Sequence, residues 1–221
     1  MITQKLISLF LLCNVALGID IIQIDVGNAI DFSDGVLEME STDKIDVTGH
    51  GTHMAVALHD ELKIQRSKKV HAKQVVWDYG NPNSLLPALQ ESLKQEPWVL
   101  SLSYGGRYKN ALEEGLIFAN TLNDTVVVAA AGNERGGRAF YPANYKNPCI
   151  LSVGTSESGV KAYYSNDADV WLEYNPKDPA GTSASAARMA GIVLQLRRQN
   201  PEQTCDKIVL TVKMLYGKIK K

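Results

Sequence analysis

Three short segments of this chain hold side chains that could act together on a substrate. The first, Ile21-Ile22-Gln23-Ile24-Asp25-Val26-Gly27, is an apolar run that ends in a carboxylate and then a glycine. A carboxylate at the C-terminal edge of a strand sits where open α/β sheets gather their sites. It equally suits a turn, where Asp bonds its own backbone. The second, Asp46-Val47-Thr48-Gly49-His50-Gly51-Thr52-His53-Met54-Ala55, sets glycines on both sides of a histidine just ahead of a helical pattern. Glycine lets the backbone pass close to a neighbour. His50 and His53 stand at i, i+3, but without the Glu of a zinc-protease helix or an accompanying ligand cluster they do not read as a metal site. The third, Gly181-Thr182-Ser183-Ala184-Ser185-Ala186-Ala187, surrounds a serine with small residues at the head of a helix. Such a serine can be an N-cap and nothing more. Small neighbours also clear space for a substrate, and a helix N-terminus favours negative charge developing beside the hydroxyl. An acid, an imidazole and a hydroxyl are the groups of nucleophilic acyl transfer. Each segment alone admits a structural role, and the chemistry needs all three in one place.

What would bring them together is a sheet. Short apolar runs alternate with helical patterns, the signature of parallel strands joined by crossover helices. The predicted strands are 20–25, 72–77, 98–102, 125–130 and 150–153, mostly apolar rather than alternating, as strands covered on both faces should be. Between them, Leu85, Leu86, Leu89 and Leu93 repeat at helical spacing, as do Leu112, Leu116 and Ala119, each set offering a stripe to the sheet. Ser84 is the expected N-cap of the first of these helices, and Pro87 falls in its first turn, where a missing N–H does little harm. No internal repeat and no Gly/Ser/Pro-rich linker divides the chain, so the three segments belong to one domain. The expected fold is an α/β domain with a mostly parallel central sheet and helices on both faces.

Composition sets the bounds. The 221 residues suffice for one domain with a sizeable core, and 45% hydrophobic with 21% charged residues is ordinary for a globular protein. A net charge of −1 gives no attraction to nucleic acid. Residues 1–18 read as a secretory signal peptide: Lys5 precedes the apolar run Leu6 to Leu17, and Ala16 and Gly18 stand at −3 and −1 of a cut after Gly18. The alternative is a buried first element of the domain. The run is too short to span a bilayer, and no second apolar run of membrane length follows. Export would place the protein outside the cytoplasm, extracellular or periplasmic, and leave two of the three cysteines, Cys149 and Cys205, in the mature chain 19–221. Nothing in the pattern sets an oligomeric state.

In order and local pattern, these segments resemble the subtilisin-like serine proteases, or subtilases. The likeness lies in Ile24-Asp25-Val26-Gly27, in Gly49-His50-Gly51-Thr52-His53-Met54-Ala55, and in Gly181-Thr182-Ser183. It extends to Ala129-Ala130-Ala131-Gly132-Asn133-Glu134, to Ser101-Leu102-Ser103-Tyr104-Gly105-Gly106 and to Tyr141-Pro142-Ala143. The resemblance implies a shortened subtilisin-like fold and a serine endopeptidase acting on peptide or protein substrates. It assigns catalysis to Asp25, His50 and Ser183, with Asn133 completing the oxyanion hole. Ser103, Tyr104, Gly105, Ala131 and Gly132 would bind substrate, with Tyr104 and Glu134 touching the specificity pocket. It also implies a Cys149–Cys205 disulfide, since proteinase K-like relatives bridge similar places; two buried free thiols are the competing reading.

The chain also departs from the family. Ala184, Ala187 and Arg188 stand where relatives usually carry Met, Pro and His, and residues 164–180 lack the usual Pro-Gly turn. No Asn/Asp-rich loop of the calcium-binding sort lies between His50 and Val70, so neither calcium nor another cofactor is expected. Asp25 follows the expected cut by a few residues, without the long propeptide of relatives, which leaves a second function class open: a catalytically weak subtilase-like domain that binds peptides or a protein partner.

Overall fold

A computed structural model describes residues 18–78 and 81–219; the expected signal peptide, up to residue 17, lies outside the described residues. Among the described residues, eight strands form one sheet in the order β2-β3-β1-β4-β5-β6-β7, with β8 also paired to β6. The strands are β1 (Ile21–Asp25), β2 (Leu37–Ser41), β3 (Val70–Val76), β4 (Val99–Leu102), β5 (Val126–Ala130), β6 (Ile150–Glu157), β7 (Val160–Lys161) and β8 (Val170–Glu173). All pairings are parallel except β6 with β7. The helices are α1 (His50–Ile64), α2 (Leu85–Gln95), α3 (Ala111–Leu122), α4 (Thr182–Gln199) and α5 (Cys205–Tyr216).

Both faces of the sheet are covered, which explains strands apolar on both sides. On one face Ile21, Val99, Val128 and Leu151 pack against Leu58 and Leu62 of α1, Met189 and Val193 of α4, and Ile208 and Val212 of α5. On the other, Ile22, Ile24, Leu100, Leu102 and Val127 meet Ala88 and Leu89 of α2 and Ile117 of α3. Small residues let α4 lie close: Ala186, Ala187 and Ala190 are fully buried, and Gly191 abuts Leu58 and Leu62 of α1. Cys149, just ahead of β6, and Cys205, at the first residue of α5, form a disulfide with their Cα atoms 5.2 Å apart, which ties that helix to the sheet.

Three local expectations are corrected. Strands β2, β7 and β8 are additional. Leu37-Glu38-Met39-Glu40-Ser41 buries chiefly Leu37, so this edge strand carries little of the apolar signal that marks a covered one. The Ser84 hydroxyl does not cap α2; it bonds the Asn81 carbonyl at 2.7 Å and accepts the Asp78 N–H, closing the preceding turn. Helix α3 faces inward by one residue more than the leucine spacing predicts: Leu112 is 66% exposed, while Glu113, Ile117, Asn120 and Thr121 are buried. The inward polar groups have partners, Asn120 Oδ1 accepting from Ser92 at 2.9 Å and Glu113 meeting two tyrosines. A satisfied polar stripe can therefore replace an apolar one.

Candidate active site

The three segments converge at the C-terminal edge of the adjacent strands β1, β4 and β5, where sites in open α/β sheets form. Asp25 is the last residue of β1, and its side chain is 3% exposed. Its Oδ1 accepts the Val26 N–H at 2.9 Å and meets His50 Nδ1 at 2.6 Å. His50 is the first residue of α1, held against β1 by a close backbone approach. A Cβ on Gly51 would lie 2.1 Å from the Gly27 carbonyl oxygen and 2.6 Å from Gln74 Nε2, so no larger residue fits there without displacing the helix. Asp46 fixes the start of the same helix, its carboxylate accepting the Gly49 N–H at 2.8 Å and the Thr52 N–H at 2.7 Å. These hydrogen bonds hold the Asp46 carboxyl below its usual range despite burial, which acts the other way. The hydrogen bond to Asp25 raises the His50 imidazole above its ordinary value, against partial burial, and Asp46 adds a smaller attraction.

Ser183 lies in the first turn of α4. Its hydroxyl donates to the Ser103 carbonyl at 3.0 Å, and the Ser103 hydroxyl donates to the Ser183 carbonyl at 3.2 Å, joining the end of β4 to the head of α4. A second reciprocal pair joins α4 to the segment after β5: Gly132 N–H donates to Thr182 Oγ1 at 3.0 Å, and Thr182 N–H to Asn133 Oδ1 at 2.9 Å. That last bond fixes the Asn133 amide, because only its oxygen can accept, and leaves Nδ2 as the donating end. Gly132 has φ of 103°, and a Cβ there would lie 2.7 Å from both Phe140 and Asn166, so the turn carrying Asn133 requires glycine.

One cleft of about 460 Å³ is lined by Asp25, His50, Asn133 and Ser183 together with Trp77, Tyr104 and Phe140. Ser103, Gly105, Gly132 and Glu134 also border it. Ala131 lies behind it, fully buried, with its N–H on Val153 and its carbonyl on Phe140 and Asn166, while Ala130 takes the lining position. Glu134 forms a two-pronged ion pair with Arg107 at 2.5 and 3.2 Å. Tyr104 packs its ring on Trp77, centroids 4.8 Å apart, and turns its hydroxyl to Glu113.

The sequence assigns no role to Asp46, Thr182 or Glu113. An acid ahead of a helix is a capping signal that marks Asp46. Thr182 and Glu113 have no comparable signal, because their partners lie 50 and 9 residues away in the chain. Arg188, one of the departures, pairs with the buried Glu61 of α1 at 3.1 Å, approaches Asp178 at 3.9 Å, and donates to the Glu173 carbonyl at 2.9 Å. It thereby fastens α4 to the C-terminal half of α1.

A sequence profile described as "Subtilase family" matches residues 18–216. Subtilisin Savinase of Lederbergia lenta is 28% identical over 71% of this chain and 65% of its own length. M-protease of Shouchella clausii is 28% identical over the same share of this chain but 46% of its own length. The chain thus spans about half to two thirds of the curated relatives it matches. Among solved structures, a cold adapted subtilisin-like serine proteinase superposes with a TM-score of 0.72 at 16% identity, covering 89% of this chain and 82% of that one. Sphericase gives 0.68 at 19% identity, covering 89% and 83%.

Proposed function

The chain belongs to the subtilase family, and on that premise we propose that it is a serine endopeptidase using Asp25, His50, Ser183 and Asn133. The observation that carries the reading is the 2.6 Å contact between Asp25 and His50 in the same cleft as Ser183 and Asn133. A serine hydroxyl is a poor nucleophile at neutral pH and needs a base as it attacks. His50 Nε2 takes that proton once Ser183 rotates from the Ser103 carbonyl toward the imidazole, then returns it to the leaving amine. Asp25 holds Nδ1 protonated, so Nε2 is the free base, and stabilises the imidazolium. Asn133 Nδ2 and the Ser183 backbone N–H donate to the oxygen of the tetrahedral intermediate. The peptide lies in the cleft between the Ser103–Gly105 segment and the Gly132–Asn133 segment. Water then attacks the Ser183 ester, His50 taking its proton and returning it to Ser183 Oγ as the acid product leaves.

The decisive comparison is fluorophosphonate labelling and casein cleavage by wild type and Ser183→Ala. Loss of both in the variant is expected, with kcat reduced about 10⁶-fold, the size of the loss in subtilisin itself. Equal activity in both proteins would sink the assignment, and inactivity in both would leave a peptide-binding domain as the reading. Export belongs to the same proposal. The N-terminal sequence of exported protein is expected to begin at or near Ile19; a soluble cytoplasmic product retaining Met1 would reject it.

A further inference from the structure

Helix α3 turns an acid inward behind the cleft. Glu113 is 6% exposed, its Oε1 accepts the Tyr104 hydroxyl at 3.1 Å, and its Oε2 lies 3.2 Å from the Tyr145 hydroxyl. The same Tyr145 hydroxyl lies 3.1 Å from the Asn110 carbonyl and accepts the Asn110 N–H at 3.3 Å. A phenol carries one proton. With Glu113 ionised, that proton serves either Oε2 or the Asn110 carbonyl, and the other contact is left as oxygen against oxygen. With Oε2 protonated, Glu113 donates to Tyr145, Tyr145 donates to Asn110, and each donor has its acceptor.

Burial, rather than any neighbouring charge, favours the protonated form. The groups bonded to this carboxyl are Tyr104 from the end of β4 and Tyr145 from the segment before β6; Glu114 of α3 and Lys109, from the segment before α3, act on Tyr145. Lys109, the cation of this neighbourhood, is bonded to Glu114 at 3.1 Å and lies over the Tyr141 and Tyr145 rings. Burial pushes the Glu113 carboxyl up, against the two tyrosine hydrogen bonds that act to lower it. The Tyr104 ring that Glu113 anchors lines the cleft beside Trp77.

We propose that Glu113, kept as a neutral acid behind the cleft, is a positioning residue that locks the Tyr104 ring into the wall against which the substrate chain lies. This rests on the proteolytic reading above and concerns affinity rather than turnover, since Tyr104 moves no proton in the proposed reaction. Ionisation at alkaline pH leaves a buried charge with Tyr145 one proton short of serving both Oε2 and the Asn110 carbonyl, which draws the carboxyl toward water and loosens the wall.

Infrared spectroscopy reads the proton directly in the full chain. The C=O stretch of a buried carboxylic acid is expected in wild type at neutral pH and absent in Glu113→Gln, a readout that needs no turnover. KM and kcat for a panel of tetrapeptide p-nitroanilides, followed from neutral to alkaline pH, read the consequence. Wild-type KM is expected to rise several-fold with kcat little changed. Glu113→Gln, whose amide reproduces the donor and acceptor of the neutral acid, keeps the neutral-pH KM and loses the rise. Tyr104→Phe, which keeps the ring but cuts the link, raises KM at neutral pH. No infrared difference between wild type and Glu113→Gln, or superimposable KM profiles for the two, would overturn the proposal. Failure of the wild type to cleave any peptide would sink the proteolytic reading instead, and the infrared comparison would still decide the state of Glu113.

Discussion

The contact between His50 and Asp25 does two things that pH separates. A general base must be neutral, so a histidine raised above its ordinary value of about 6.5 places the acid limb of kcat/KM above that value as well. Activity is expected to be lost as pH falls through the raised value. Stability runs the other way: the folded pKa exceeds the unfolded one, so the contribution is full below the unfolded value and lost as pH rises through the folded value. Asp25→Asn is expected to move the acid limb down and to lower kcat by about 10⁴-fold, because the amide no longer favours the useful tautomer. A pH–rate profile of the residual activity with an unmoved limb would show that Asp25 does not set the imidazole. At Asn133, loss of one oxyanion donor in Asn133→Ala is expected to reduce kcat by about 10²–10³-fold while casein still binds.

At the scale of elements, the site depends on two helix N-termini, α1 carrying His50 and α4 carrying Ser183, being held in fixed relation. Part of that fixing is apolar, through Gly191 against Leu58 and Leu62. Part is the buried pair of Arg188 and Glu61, whose side chains are 15% and 3% exposed. Breaking such a pair from one side leaves a buried charge, whereas replacing both members often costs little. Arg188→Met alone is expected to destabilise the fold by about 3–5 kcal/mol, and Arg188→Met with Glu61→Met to recover more than half of that. Urea unfolding midpoints measure both; equal losses in the single and double variants would show that the two side chains are not coupled. Burial pushes the Asp178 carboxyl up and Arg188 opposes it, so the single variant is also expected to raise that carboxyl further.

At the scale of the whole molecule, the Cys149–Cys205 bond is the covalent tie between the sheet and the last helix. It spans 56 positions, and restricting an unfolded chain over that length contributes on the order of 4 kcal/mol in the chain-entropy view. The protein with both cysteines changed to serine is expected to unfold at a clearly lower temperature, with activity kept below that transition, because neither cysteine lines the cleft. An unchanged unfolding temperature would show that the bridge adds nothing to stability. Among the described residues no helix is long and apolar enough to cross a membrane.

What the sequence determined by itself was the alternation of covered strands and helices, the order of Asp25, His50 and Ser183, and the small residues around each. Those features are local: an apolar run of β-branched residues, a glycine beside a histidine and a serine among alanines act on their own neighbourhoods. The edge strand Leu37–Ser41 and the inward face of α3 were not legible, because local pattern ranks Leu112 above Glu113 for burial and the structure reverses them. Only the tertiary structure brings Tyr104 and Tyr145 to Glu113, and Glu61 to Arg188, 127 positions apart. A polar group is buried when its partners are within hydrogen-bond distance, and that distance is set by how the elements pack rather than by the residues beside it in the chain.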